Sequence, residues 1–292
     1  MNRFRRSIAA CLLVLLSLAL PGTIIRGQQR EVGSSGKTGS LVLVGGGANR
    51  PVFMEKFLEL AGGSNANVVV IPTSLPDSRL TAEGMEQLRS SSLRDFPQVA
   101  LLHTRDRKVA DSPAFVEPLR HCTGVWILGG NEEYLADSYA GTRTEQEIKA
   151  LLARGGVVGG TSAGAIIQGA ILIDGKIIDS SDVPGTRTVR IEPIRPGFDL
   201  LPDSMIFPHW HRNKQGFDLI PLAISLTIAK QPGRWGLGID EATAAVVQGS
   251  RLEVLGDGNI GIYDGKDHNG QAFILLAPRQ AIDLRTRSVL AH

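Results

Sequence analysis

Cysteine is almost missing from this chain: of 292 residues, only Cys11 and Cys122 carry a thiol. Cys11 lies inside an N-terminal apolar run with the look of a removable signal, not after it, which argues against a lipid anchor. Cys122 then stands alone. That excludes an intrachain disulfide and a cysteine-based metal site. Cys122 precedes the apolar stretch Thr123 to Leu128, so it is expected to be a small buried hydrophobe. A surplus of one charge is missing too. Lys+Arg number 31 against 29 Asp+Glu. Without residues 1–27, which hold Arg3, Arg5, Arg6 and Arg26 and no acid, the balance falls to 27 against 29, near −2. A near-neutral protein offers no electrostatic case for binding nucleic acid. A run long enough to cross a bilayer is also lacking. Ile8 to Leu20 is apolar, but short, preceded by three arginines and ended by Pro21-Gly22. This is the pattern of a secretory signal peptide. No clean Ala-x-Ala site follows, so cleavage after Gly22 and after Gly27 both fit, and an uncleaved anchor is the rival reading. Export to the periplasm or the extracellular space, with no membrane attachment after cleavage, is the expectation. Internal repeats and inter-domain linkers are absent.

What the chain does have is concentrated in one stretch. Gly155-Gly156-Val157-Val158-Gly159 leads into Gly160-Thr161-Ser162-Ala163-Gly164-Ala165. It reads as a short buried strand, a sharp turn bearing one serine, and a helix opening on small residues. This is a nucleophile elbow: strain in the turn projects the serine hydroxyl, and the small neighbours leave room for substrate and helix. The backbone N–H of Ala163, at the helix start, points to where a tetrahedral oxyanion would form. A phosphate-binding glycine turn is the bland alternative, but it would not need a central serine.

The surrounding pattern is an alternation. Continuous apolar runs at Leu41–Val44, Asn67–Ile71, Val99–Leu102 and Gly124–Leu128 predict buried strands. Helical spacing at Val52–Leu60, Leu80–Leu93 and Pro113–Leu119 predicts helices between them. Thr144-Glu145-Gln146-Glu147 has the form of a capping box opening a further helix. Strands without polar alternation, separated by helices, imply a parallel sheet covered on both faces. The expected fold is an α/β three-layer sandwich, with a mostly parallel central sheet. Ligand sites in such sheets gather at the carboxyl ends of the strands, which places Gly45-Gly46-Gly47, Gly129-Gly130 and Ser162 on one edge. Later, Met205–Phe207 reads as a strand, Phe217–Ile228 as a helix and Thr243–Val247 as a strand. Arg251–Gly256 and Asn259–Tyr263 read as a C-terminal β-hairpin around Asp257-Gly258. The chain divides into a signal peptide (1–27), a polar leader (28–39) and a single catalytic domain (40–292).

A serine nucleophile needs a base and a group that orients the base. The six histidines are His103, His121, His209, His211, His268 and His292. His209 follows a strand end and is expected on the edge of Ser162; Asp240 and Glu241 lie in a loop before a strand. The order is then serine, histidine, acid. An α/β-hydrolase esterase or lipase, which the Gly-x-Ser-x-Gly form of Gly160–Gly164 also fits, would need a late histidine. His268 is the candidate, but it sits in a polar loop. His209-Trp210-His211 also has zinc-ligand spacing, though no third ligand is evident.

The residues quoted so far carry a resemblance. Leu41-Val42-Leu43-Val44-Gly45-Gly46-Gly47, Phe57-Leu58-Glu59-Leu60-Ala61-Gly62-Gly63, Val69-Val70-Ile71-Pro72-Thr73-Ser74 and Ile127-Leu128-Gly129-Gly130-Asn131 occur in order. The elbow Gly159–Ala165 and Gly236-Leu237-Gly238-Ile239-Asp240-Glu241-Ala242-Thr243-Ala244 complete the set. The chain resembles the cyanophycinase branch of the serine peptidase family that also contains dipeptidase E, over most of residues 40–265. The resemblance implies a class I glutamine-amidotransferase-like α/β fold and no metal or organic cofactor. It implies Ser162 as nucleophile, His209 as general base, Glu241 as the orienting acid, and an oxyanion hole made by the backbone N–H groups of Ala163 and Gly130. Asn131 and Arg212 are the substrate-binding candidates. The chain departs from the family pattern at Ala48-Asn49-Arg50, at Phe207-Pro208 before the histidine and at Asn131-Glu132. It also carries only Arg212 and Lys214 where several arginines are usual. The catalytic core is therefore kept while the pocket differs, so a small acidic or isoaspartyl-type peptide is as good a candidate as cyanophycin. The expected function is an exported serine exopeptidase acting on small or aspartyl-type peptides, with a homodimer admitted. A serine esterase and a non-catalytic exported binding protein on the same fold are the alternatives.

Overall fold

The computed structural model describes residues 38–47, 51–94, 96–173, 177–178, 188–189, 194–210 and 219–291. By contacts the chain splits into residues 1–35 and 36–292, and all the described residues fall in the second unit. The signal peptide and most of the leader lie outside the described residues, as do His211, Arg212 and Lys214.

Among the described residues the strands, in chain order, are β1 (Ser40–Val44), β2 (Asn67–Ile71), β3 (Gln98–Leu101), β4 (Gly124–Ile127), β5 (Val157–Thr161), β6 (Ile171–Ile173), β7 (Ile177–Ile178), β8 (Thr188–Val189) and β9 (Ile194–Pro196). They continue as β10 (Ser204–Pro208), β11 (Trp235–Ile239), β12 (Thr243–Gln248), β13 (Arg251–Gly256), β14 (Ile260–Tyr263), β15 (Ile274–Leu276), β16 (Ala281–Asp283) and β17 (Ser288–Leu290). The α-helices are α1 (Pro51–Leu60), α2 (Ala82–Gln87), α3 (Arg107–Ala110), α4 (Glu117–His121), α5 (Glu132–Tyr139), α6 (Arg143–Ala153), α7 (Ala163–Ile166) and α8 (Leu219–Lys230).

The main sheet has nine strands in the order β17-β16-β13-β12-β1-β5-β4-β2-β3. From β3 to β1 every pairing is parallel; from β1 outward through β12, β13, β16 and β17 every pairing is antiparallel. The parallel half is a double-sided core. Leu41, Leu43, Val69, Ile71, Val125 and Ile127 face one cluster, with Leu135, Ile148 and Leu151 from α5 and α6. The alternate residues Val42, Val44, Val68, Val70 and Trp126 face another, with Phe53 and Phe57 from α1. Phe57 meets Trp126 edge-on at 5.0 Å between ring centroids. Burial on both faces is why these strands carry no polar alternation. The α/β sandwich with helices on both faces is therefore as expected.

A second, four-stranded sheet runs β10-β11-β14-β15. β10 and β11 are parallel and in register, Pro208 opposite Ile239. A third cluster lies against this sheet: Met205, Trp210, Ile224, Ile228 and Tyr263, with Ile224 and Ile228 from α8.

Three local expectations are corrected. The strands either side of Asp257-Gly258 do not form a hairpin. β13 pairs with β12 and β16, while β14 pairs with β11 and β15, so the Asp-Gly turn carries the chain from one sheet to the other. The C-terminal hairpin is β16–β17. The helix α6 starts earlier than the capping box at Thr144 implies: Thr142 stands at the N-cap position with no side-chain cap bond, its hydroxyl donating to Tyr139 O at 2.7 Å, and the Glu145 carboxylate accepts the Gly141 N–H at 2.6 Å. Thr144 is buried and donates to Ala110 O at 2.8 Å. The stretch from Leu80 to Leu93 is not one helix but α2 followed by a π-turn over Leu88–Ser92.

Candidate active site

Three strand ends meet at the site. β5 ends at Thr161 and the chain turns at once into α7, with Ser162 at φ 51°, ψ −118°. This backbone costs a non-glycine residue about 1–3 kcal/mol and persists only where its surroundings over-determine it. Here the Ser162 N–H donates to Val44 O at 3.0 Å, and the Ser162 carbonyl accepts from Ala165 and Ile166 at 2.8 and 2.9 Å. The turn is thus tied to β1 on one side and to α7 on the other.

His209 comes immediately after β10, also in the left-handed region at φ 56°. Its N–H donates to Gly45 O at 2.8 Å. The next residue, Trp210, is fully buried and holds the turn down: its N–H donates to Ile239 O at 3.1 Å and its indole Nε1–H to the Tyr263 hydroxyl at 2.9 Å. Glu241 lies between β11 and β12, followed by Ala242 at φ 54°, whose N–H donates to Gly46 O at 3.0 Å. Because β10 and β11 end in register, His209 and Glu241 leave adjacent strands side by side.

The three side chains form a line. Ser162 Oγ lies 3.0 Å from His209 Nε2, and His209 Nδ1 lies 2.9 Å from Glu241 Oε1. Asp240 faces elsewhere: its Oδ2 accepts the Asn259 N–H at 2.8 Å. Gly46, at φ +137°, passes directly over the imidazole; a methyl there would fall 2.5 Å from His209 Cε1 and 2.6 Å from Nδ1. Only a hydrogen atom fits. The position of Gly46 after β1 puts it on this edge, but its contact with the imidazole has no sequence signal beyond the glycine run.

The Ala163 and Gly130 N–H groups have no acceptor among the described residues. Gly129 packs against the elbow, since a methyl on it would fall 3.3 Å from Ser162 Cβ. Asn131 caps α5, its Oδ1 accepting the Glu133 N–H at 2.8 Å. The other described histidines make pairs of their own. His268 Nε2 lies 2.8 Å from Asp264 Oδ1 and His121 Nε2 lies 2.9 Å from Glu117 Oε1. His103 Nδ1 lies 2.9 Å from the Thr73 hydroxyl; burial, then the nearby Arg105, holds its pKa below the ordinary histidine value. Burial pushes the Cys122 thiol up to about 11.

A hydroxyl, an imidazole and a carboxylate at hydrogen-bond spacing is the geometry that acyl transfer by a serine requires. Comparison with known proteins agrees with that class. The profile of peptidase family S51 matches residues 41–255, and the chain belongs to this family, as a peptidase of the serine type. It is 29% identical over 233 residues to a cyanophycinase of Geminocystis herdmanii, covering 78% of this chain and 81% of that protein. It is 29% identical over 248 residues to a cyanophycinase of a Nostoc species, covering 82% and 78%. Among solved structures, a peptidase from an acI-B1 actinobacterium superposes with a TM-score of 0.63 at 26% identity, covering 84% of this chain and 97% of that one.

Proposed function

We propose that this peptidase works through a Ser162–His209–Glu241 triad and is an exported exopeptidase of small or aspartyl-type peptides. The observation that carries the reading is the unbroken line from Ser162 Oγ to His209 Nε2 at 3.0 Å and from His209 Nδ1 to Glu241 Oε1 at 2.9 Å. Ser162 gives its proton to His209 Nε2 as Oγ bonds to the amide carbonyl carbon. Glu241 accepts the Nδ1–H bond, which fixes the tautomer and stabilises the imidazolium. The carbonyl oxygen, now an oxyanion, takes the Ala163 and Gly130 N–H bonds. Collapse breaks the C–N bond, and the amine leaves with the proton from Nε2. Water, deprotonated by His209, then clears the acyl-enzyme and returns the proton to Ser162.

The substrate class rests on the likeness to cyanophycinases and on the chain's differences from them. The departures at Ala48-Asn49-Arg50, Phe207-Pro208 and Asn131-Glu132, with only Arg212 and Lys214 after the histidine, favour a small aspartyl or isoaspartyl peptide over a polymer dense in arginine. Export rests on the composition of residues 1–27.

Purified protein should be offered dipeptides, β-aspartyl dipeptides and cyanophycin, and treated with a serine-directed organophosphonate. The expected outcome is turnover of at least one small aspartyl-type peptide, with the phosphonate on Ser162. Labelling elsewhere, or turnover that survives full labelling, would overturn the triad. Turnover of cyanophycin alone would overturn the substrate class. Recovery of the chain from the cell exterior with residues 1–27 intact, or from the cytoplasm only, would overturn the export of a cleaved protein.

A further inference from the structure

The Gly129-Gly130 pair has no side chain to hold its peptide plane, and glycine crosses between backbone conformations at little steric cost. The proposed chemistry tolerates one orientation only. With the Gly130 N–H toward the nucleophile, the peptide stabilises an oxyanion; reversed, it presents the Gly129 carbonyl oxygen, an acceptor, to the same negative charge. Ser74 lies just beyond the carboxyl end of β2 and is 1% exposed. Its hydroxyl sits 2.7 Å from Leu128 O and 3.0 Å from Gly129 O, one proton shared between the two carbonyls. Its own carbonyl accepts the Asn131 N–H at 2.8 Å. Gly130 is pressed against it at φ +150°, where a methyl would fall 2.2 Å from Ser74 O.

In a trans peptide the C=O and N–H point in opposite directions. A Gly129 carbonyl turned toward Ser74 therefore turns the Gly130 N–H away from Ser74. Gly129 borders Ser162, and the Gly130 N–H meets no acceptor among the described residues. We propose that Ser74 is a positioning residue for acyl transfer: it clamps the Gly129–Gly130 peptide in the one orientation that offers the Gly130 N–H to the oxyanion formed at Ser162. Ser74 touches neither the substrate nor the reacting atoms. The inference rests on the role assigned to Ser162 above.

The test compares wild type, Ser74→Ala, Ser74→Cys and Ser162→Ala on an accepted peptide and on a peptide aldehyde, which forms a tetrahedral hemiacetal with a serine. Loosening rather than deleting an oxyanion donor should lower the kcat of Ser74→Ala on the order of 10- to 100-fold. KM should stay within about twofold, the pattern of an interaction made only in the transition state. Aldehyde affinity should weaken by the same factor as kcat. Ser74→Cys keeps the volume with a poorer donor, and its kcat should fall between the two. If Ser74→Ala loses its cooperative melt, Ser74→Cys decides by the same criteria. A kcat within about threefold of wild type in both variants overturns the proposal, as does a loss in KM that the aldehyde affinity follows. If Ser162→Ala itself hydrolyses peptide at the wild-type rate, the reading of the site has failed. If Ser162→Ala is inactive and Ser74→Ala is fully active, this inference alone has failed.

Discussion

The two sheets bring different things to the site by different means. The parallel half of the main sheet brings the serine and the glycine turn beside it, from strand ends buried on both faces. The four-stranded sheet brings the imidazole, and the carboxylate follows its second strand, each from a residue at or next to a left-handed turn. The first half is regular and over-determined: β1 and β5 are aligned from Ser40–Val157 to Val44–Thr161, and the elbow follows with no slack. The second depends on a few tertiary contacts, above all Trp210 under His209 and the Gly45-Gly46 backbone over it. The Gly45-Gly46 loop joins the two: Gly45 O accepts the His209 N–H at 2.8 Å at the end of the four-stranded sheet, while the Ala242 N–H to Gly46 O and Gly45 N–H to Thr243 O bonds, at 3.0 Å each, extend the β1–β12 pairing of the main sheet. Geometry within each sheet is set by regular pairing, whereas geometry between them is set by that loop.

The comparison can be broken most severely at either end of the line. Ser162→Ala should lower peptide turnover on the order of 10⁴-fold or more, and His209→Ala nearly as much, because members of a unit are not additive. Circular dichroism and the melting temperature should stay close to wild type. A retained rate in either variant would mean the two sheets do not cooperate in the chemistry. Glu241→Gln should lower kcat about 10²- to 10⁴-fold with little change in KM, while Asp240→Asn should act on stability by about 0.5–1.5 kcal/mol, through its bond to Asn259, and leave kcat near wild type. Reversal of these two, read by kinetics and denaturant titration, would exchange their roles.

The loop between the sheets is the next point of attack. Gly46→Ala places a methyl against the imidazole in a conformation that L side chains rarely adopt. Displacing the imidazole by about 1 Å should cost on the order of 10²-fold in kcat, with about 1–3 kcal/mol of stability lost to strain. A Gly46→Ala protein of full activity would show that the base has room to move. The smallest effect should be at Cys122, inside the parallel half. Burial disfavours its thiolate, so at pH 8 the thiol stays protonated and iodoacetamide should leave it unmodified in the folded protein. Modification, read by mass spectrometry of the Cys122 peptide, should appear in denaturant, or as the pH approaches the raised value of about 11. Fast labelling at pH 8 would mean that this half opens more readily than its packing implies.

The regular half was the more legible in sequence. Val42, Val44, Leu41 and Leu43 are all buried, so the strand reads as an unbroken apolar run whatever its partners. Ser162 between small residues declares a turn by composition alone. What could not be read depends on partners distant in the chain. Asp257-Gly258 carries the same local signal whether the next strand folds back or crosses to another sheet. Thr144 reads as a cap from its neighbours, but Ala110, 34 residues away, takes the Thr144 hydroxyl instead. The helix α5 was missed because it is short and mixed in polarity, although Asn131 followed by Glu132 and Glu133 is a start signal. The left-handed turns at His209 and Ala242 have no glycine to announce them.

The Gly45-Gly46 loop also sets an order in time. It directly follows the first strand of the described fold, yet the backbone groups it binds, those of His209 and Ala242, come later by more than half the length of the chain. Contacts so distant in sequence form late, because their loop-closure entropy must be met before they stabilise anything. A growing chain that has already made the elbow and its helices carries a serine with no base beside it. On the proposed triad, peptidase activity should therefore arrive as a late product of synthesis and refolding, and a chain interrupted before His209 should be inert toward its neighbours.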